Sequence, residues 1–165
     1  MFDAALLDQA RDVLDTARAK NTRIVTAESC TGGLIAALLT EIPGSSDVVE
    51  RGFVTYSNEA KEESLGVPPA LLRKYGAVSD QVARAMADGA LRHARAQLAI
   101  AVTGIAGPGG GSAEKPVGLV YVALANGHNI ASHEYRFGDI GRGQVRLATV
   151  REAIRLLRAA LYSSG

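Results

Sequence analysis

The chain has 165 residues and nearly balanced charge, 18 Lys and Arg against 17 Asp and Glu, for a formal +1. That is one domain's length, enough to bury a hydrophobic core. The even charge excludes a dedicated nucleic-acid binder, which needs a basic excess or a basic face, and also an acidic disordered segment. With 5% aromatics and no Trp, base-stacking platforms and aromatic cages are excluded as well. The one cysteine, Cys30, permits neither an intramolecular disulfide nor a cysteine-rich zinc site, the usage of a cytoplasmic protein. Asp3, Asp8, Arg11 and Asp12 interrupt the start, which therefore lacks the features of a signal peptide. No stretch approaches the roughly 20 apolar residues of a membrane span.

Between Phe2 and Lys20, Leu6, Leu7, Ala10, Val13, Leu14 and Ala17 recur at helical spacing and predict an amphipathic helix. Arg23 to Ala27 is a short β-rich run. Glu28-Ser29-Cys30-Thr31-Gly32-Gly33 then turns into a helical stretch, Leu34 to Leu39, and Pro43 to Ser46 is a turn. Val48 to Tyr56 reads as a strand, followed by a short helix that Asn58 could cap and Gly66 would stop after Leu65. Pro68 and Pro69 open another short helix, Ala70 to Tyr75, and Ser79 to Gln81 start a longer one running to Arg95. The unbroken apolar run Leu98 to Thr103 has the pattern of a strand buried on both faces. A glycine-dense loop, Gly104 to Ser112, comes next. Val117 to Ala125 and Asn129 to Phe137 are strands joined by the hairpin signal Asn126-Gly127, and Gly143 to Tyr162 is a long final helix. The order α-β-α-β-α-α-α-β-β-β-α predicts an α/β fold: a single three-layer α/β/α domain over residues 1–165, with a mixed, mostly buried sheet of about five strands.

Three segments carry candidate chemistry. In the first, Ser29 and Cys30 are adjacent potential nucleophiles where a strand gives way to a helix, and the free backbone amides of a helix start can hold an oxyanion or a phosphate. The plainer reading makes Ser29 or Thr31 a helix cap and the glycines a turn. The second, Thr55 to Lys61, supplies possible bases, since a serine nucleophile needs one and burial can lower the pKa of a lysine. Lysine is scarce, four (Lys20, Lys61, Lys74, Lys115) beside fourteen arginines, and only lysine can lose its proton. Against this, Lys61 could be a solvated partner of Glu62 or Glu63. The third is the loop after the buried strand, at the carboxyl end where α/β sheets bind ligands. It matches neither GxGxxG nor GxxxxGK[ST], which argues against a dinucleotide fold and a nucleoside triphosphatase. Arg142 and Arg146, four apart at the start of the last helix, could clamp a phosphate or remain solvated. His93, His128 and His133 have no metal-ligand spacing, and no hydrolase motif joins a histidine to a serine.

TAESCTGG (Thr26 to Gly33), PGSS (Pro43 to Ser46), ERGFVTYSNEAK (Glu50 to Lys61), GAVS (Gly76 to Ser79), TGIAGPGGG (Thr103 to Gly111) and EKPVGLVYVA (Glu114 to Ala123) together resemble the CinA C-terminal domain family. Its enzymes are nicotinamide-nucleotide amidases, or NMN deamidases, and the chain resembles the stand-alone form. The resemblance implies hydrolysis of nicotinamide mononucleotide (NMN) to nicotinate mononucleotide and ammonia in pyridine-nucleotide salvage. It implies no metal and no cofactor, with Ser29 as nucleophile and Lys61 and Tyr56 as the proton-transfer pair. Substrate would be held by Glu28, Cys30, Thr31, Gly32 and Gly33, by Thr103, Gly104, Ala106 and Gly107, and by Arg142 or Arg146. The partners implied are this small nucleotide and a second copy of the chain, as a homodimer or higher assembly, with no nucleic acid and no membrane. One run departs from the family pattern G-D-R-x-x-[VI]-R: Ile140-Gly141 separates Gly138-Asp139 from Arg142. Two rival readings are a non-catalytic nucleotide-binding or regulatory module of the same fold and an amidase using the Cys30 thiolate.

Overall fold

The computed structural model describes residues 1–163. Its elements follow the expected order: α1 (Ala4–Ala19), β1 (Ile24–Glu28), α2 (Leu34–Thr40), β2 (Val49–Val54), α3 (Asn58–Leu65), α4 (Pro69–Tyr75), α5 (Asp80–Arg92), β3 (Leu98–Gly104), β4 (Leu119–Asn126), β5 (Asn129–Arg136) and α6 (Arg142–Ser163). The five strands form one mixed sheet in the order β2-β1-β3-β4-β5. β2, β1 and β3 run parallel, while β4 and β5 continue the sheet antiparallel through the Asn126-Gly127 hairpin.

Strand periodicity divides the core into two layers. Leu98, Ile100 and Val102 of β3 and Val120 and Val122 of β4 pack with apolar residues of α1, α2 and α6 on one face. Their alternates, Ala99, Ala101, Ala123 and Ala125, face α5 through Val82, Ala83, Met86, Ala87 and Ala90 on the other. Each fully buried Leu, Ile or Val contributes roughly 1.5–3 kcal/mol. The alanine-lined face lets α5 lie close to the sheet. α5 is equally close to α3: a Cβ on Gly89 would sit 2.0 Å from the Leu65 carbonyl oxygen.

Several boundaries differ from the sequence expectation for local reasons. Ser57, not Asn58, caps α3: its hydroxyl accepts from the Ala60 amide at 3.0 Å, which makes Asn58 the first helical residue. α5 ends at Arg92 rather than Arg95: His93 leaves helical geometry as its C-cap, with φ −104° and ψ 9°, and its ring Nδ1 lies 2.8 Å from the Gly89 carbonyl. β4 begins at Leu119 rather than Val117, since the Leu119 amide closes a turn onto the Pro116 carbonyl. β2 stops at Val54, so Thr55 and Tyr56 have already left the sheet when they reach α3. Among the described residues, no helix is long and apolar enough to cross a membrane.

Strand order decides where a ligand can enter. From β1 the chain crosses through α2 to β2 on one side, then returns through α3, α4 and α5 to β3 on the other side of β1. The two connections lie on opposite faces of the sheet. A crevice therefore opens beyond the carboxyl ends of β1 and β3, where the connections diverge.

The Gly89 contact gives a stability test. Alanine is a better helix former than glycine by about 1 kcal/mol, yet Gly89→Ala is expected to destabilise the protein by roughly 1–3 kcal/mol through the forced separation of α3 and α5. A lowered urea midpoint at unchanged slope is the predicted readout.

Candidate active site

The crevice is a cleft of about 270 Å³ lined by Ser29, Cys30, Tyr56, Asn58 and Lys61 on one side, Thr103 to Gly107 and Ala77 and Val78 on another, and Gly109, Gly110 and Arg142 at its mouth. β1 delivers Ser29, whose amide donates to the Val102 carbonyl of β3 at 3.1 Å and so holds the residue just beyond the strand end. β3 delivers Thr103, whose hydroxyl donates to the Ala77 carbonyl at 2.8 Å and fastens the segment before α5 to the cleft floor. Lys115 secures the same segment through its ammonium group and the Tyr75 carbonyl.

Lys61 comes from the first turn of α3 and reaches back under the chain that precedes it. Its Nζ lies 2.9 Å from Ser29 Oγ, 2.8 Å from the Thr55 carbonyl oxygen and 3.4 Å from that of Tyr56. Only 1% of the residue's surface is exposed, and among the described residues no carboxylate pairs with it. Burial without a counter-charge lowers its pKa below the ordinary 10.5. A neutral amine has two N–H donors and one lone pair, which matches two carbonyls and one hydroxyl. In that state the carbonyls accept the N–H groups and the lone pair faces the Ser29 O–H, so the amine can take the hydroxyl proton.

The turn after Ser29 is braced from within. Glu28 is fully buried and faces away from the cleft. Its carboxylate accepts from the Thr31 hydroxyl at 2.7 Å and from the Ile35 and Ala36 amides at 2.9 and 3.0 Å. The start of α2 is thus already occupied by a protein carboxylate. The Gly32 amide donates to the Ser29 carbonyl and the Leu34 amide to that of Thr31. Among the described residues, the amides of Cys30, Thr31 and Gly33 donate to no other residue, and those of Cys30 and Thr31 lie next in sequence to Ser29 as candidate donors. Burial and the nearby Glu28 push the Cys30 thiol up to about 11, so it stays protonated at neutral pH despite its place at a helix start.

The two arginines of the last helix separate. Arg142 reaches the cleft mouth, where Nη1 donates to the Gly107 carbonyl at 2.9 Å and Nη2 to the Tyr56 hydroxyl at 2.7 Å. Arg146 does not line the cleft and instead donates to the Cys30 and Thr31 carbonyls. Tyr56 meets Lys61 through its carbonyl, while its hydroxyl is engaged by Arg142.

Of the residues singled out in the sequence, Ser29, Cys30, Tyr56, Lys61, Thr103, Gly104, Ala106, Gly107 and Arg142 line one cleft, whereas Glu28, Thr31, Gly32, Gly33 and Arg146 stand behind its wall. Asn58, Ala77, Val78, Ile105, Gly109 and Gly110 complete the lining without having been singled out. All six fall inside the segments YSNEAK, GAVS and TGIAGPGGG, so the motifs marked the region but not the residues. The three histidines lie elsewhere: His93 at the end of α5, His128 in the hairpin and His133 on β5.

Comparison with known proteins places this geometry. The model of the CinA C-terminal domain matches residues 7–161. The chain belongs to the CinA C-terminal domain family. A CinA-like protein of Geobacter sulfurreducens is 49% identical over 164 residues, covering 96% of this chain and 40% of that protein. One from Anaeromyxobacter dehalogenans is 51% identical over 145 residues, or 87% of this chain and 35% of that protein. The chain therefore spans well under half the length of these curated relatives. The crystal structure of the competence/damage inducible protein CihA from Agrobacterium tumefaciens superposes with a TM-score of 0.95 at 55% identity, covering 98% of both chains. A CinA superfamily protein from Escherichia coli matches at a TM-score of 0.89 and 32% identity, over 96% of this chain and 94% of that one. The CinA fold thus extends over nearly the whole chain, including the crevice between β1 and β3.

Lys61 also gives this CinA domain a titration signature. Its folded-state pKa is lowered, so the charged form destabilises the fold at every pH below that folded value. The burden diminishes as pH rises through the folded pKa and vanishes above the unfolded value near 10.5. Stability of the wild type relative to Lys61→Met is expected to rise with pH over that window, as measured by urea unfolding at a series of pH values.

Proposed function

We propose that this chain is a serine amidase that hydrolyses the carboxamide of NMN to nicotinate mononucleotide and ammonia. The observation that carries the reading is the contact between Ser29 Oγ and a buried, counter-ion-free Lys61 amine at 2.9 Å. A lysine held this way has little structural use as a cation, because burying an unpaired charge is costly, and it is suited to serve as a base. The identity of the substrate rests on the resemblance of the motifs to nicotinamide-nucleotide amidases.

In the proposed reaction, neutral Lys61 takes the Ser29 proton as Oγ bonds to the carboxamide carbon. The negative charge that develops on the carbonyl oxygen is held by the Cys30 and Thr31 amides. Collapse of the intermediate breaks the C–N bond, and the Lys61 ammonium returns its proton to the departing nitrogen, releasing ammonia. Water then attacks the nicotinoyl ester with Lys61 again as base, and the C–Oγ bond breaks as Ser29 recovers a proton. The substrate's pyridinium favours the neutral amine further.

Arg142 is the proposed phosphate ligand, since it stands at the mouth beside the glycine loop. A phosphate that recruits its guanidinium would release the Tyr56 hydroxyl to relay the proton from Lys61 to the leaving group. Glu28 serves the turn rather than the substrate.

Ammonia release from NMN is the decisive measurement. Ser29→Ala and Lys61→Ala are each expected to lose at least about a thousandfold in kcat, and Cys30→Ala, which keeps the backbone donors, far less. Activity in Ser29→Ala with loss in Cys30→Ala would make the thiol the nucleophile. No release by the wild type would leave a nucleotide-binding module. In the active enzyme, kcat should rise with pH along a limb whose apparent pKa lies below 10.5. Arg142→Gln is expected to raise KM for NMN about tenfold or more while barely changing that for the nucleoside lacking the phosphate.

A further inference from the structure

We infer that Arg146 is a positioning residue that fixes the backbone donors beside Ser29 and does not contact the substrate. The inference rests on the amidase reading and assigns a task to a side chain outside the cleft. Nε of Arg146 donates to the Cys30 carbonyl and Nη2 to the Thr31 carbonyl, both at 3.1 Å. A planar guanidinium can engage two successive carbonyls at once, which an ammonium on a flexible stem cannot do with the same geometry.

The consequence follows from peptide geometry. In a planar trans peptide the carbonyl and the following N–H point in opposite directions. Holding the Cys30 carbonyl toward Arg146, behind the cleft wall, therefore turns the Thr31 N–H away from Arg146. That N–H is one of three amides in the turn, with those of Cys30 and Gly33, that donate to no other residue among the described ones. Holding the Thr31 carbonyl fixes the next peptide, whose N–H, from Gly32, bonds back to the Ser29 carbonyl at 3.0 Å. Arg146 thereby sets two consecutive peptide planes.

Glu28 acts from another side of the same turn through the Thr31 hydroxyl and the α2 amides. Carboxylate and guanidinium thus grip opposite polarities of one short segment, Glu28 its donors and Arg146 its acceptors. The approach is close: a Cβ on Gly32 would stand 3.3 Å from Arg146 Nη2.

The test uses the intact chain and a probe that reports on Ser29 without depending on the natural substrate. An alkyl fluorophosphonate phosphonylates an activated serine: Oγ bonds to phosphorus, fluoride departs, and the serine proton passes to the base. Labelling of Ser29 is expected to slow about tenfold to a hundredfold in Arg146→Ala, and millimolar guanidinium should recover part of the rate. Arg146→Lys, which keeps the charge and most of the stem, is expected to fall between the two and guards against a folding failure in the alanine variant. With NMN, kcat should fall in both variants while KM stays near the wild-type value. Unchanged labelling in folded variants, or a raised KM at unchanged kcat, would overturn the assignment and return Arg146 to substrate binding. A wild type that is neither labelled nor able to release ammonia would instead overturn the amidase reading beneath it.

Discussion

Lys61 is a cation-forming side chain with 1% of its surface exposed, no carboxylate paired with it among the described residues, and the hydroxyl of Ser29 against its amine. Removing such a group from water disfavours its charged form, an effect that outweighs the opposing influence of Cys30, and two carbonyls and a hydroxyl can satisfy the neutral amine. The local architecture serves this contact. β2 ends early, so that Thr55 and Tyr56 can offer their carbonyls. Ser57 caps α3 and thereby sets the first turn from which Lys61 projects. The close approach of α5 to α3 at Gly89 holds that helix against the body of the domain.

The contact joins residues 32 apart in sequence, and the strand order makes this possible. Because β1 lies between β2 and β3, the connections leaving its carboxyl end diverge over opposite faces of the sheet. Ser29, the Thr103 loop and the first turn of α3 all open onto the resulting gap. The antiparallel β4 and β5 add no residue to the cleft lining. They extend the sheet on its β3 side and supply apolar residues to both core layers.

The fold was legible in the sequence because its signals are local and redundant: an unbroken apolar β3, the Asn126-Gly127 hairpin, and helices with clear periodicity. The site was less evenly legible. Ser29 and Lys61 stood out, one as a hydroxyl at a strand-to-helix turn and the other as a rare lysine among arginines, but nothing local could say that they touch. Arg142 and Arg146 looked equivalent, four residues apart on one helix. Four residues also advance about 6 Å along the axis, enough to carry one guanidinium to the cleft mouth and the other to the back of the Ser29 turn. Glu28 was misleading for a related reason. A carboxylate at the end of a strand can face a ligand or cap the helix that follows, and the amides that decide between them, those of Ile35 and Ala36, lie seven and eight residues on.

The adjacent Ser29 and Cys30 show how burial and a neighbouring carboxylate distinguish two potential nucleophiles. A thiol is intrinsically the better one once ionised, and a helix start usually helps it ionise. Here the amides at the start of α2 are already taken by Glu28, whose charge opposes a neighbouring thiolate, and the Cys30 side chain is buried, so its pKa rises to about 11. The same desolvation acts on Lys61 in the opposite sense, because the form it penalises there is the protonated one. A single poorly hydrated pocket thus raises the pKa of the Cys30 thiol and lowers that of the Lys61 amine, each shift favouring the neutral group. In the proposed reaction, serine would lose its proton in step with bond formation, to an amine already in contact, and so would never have to exist as a free anion in that environment.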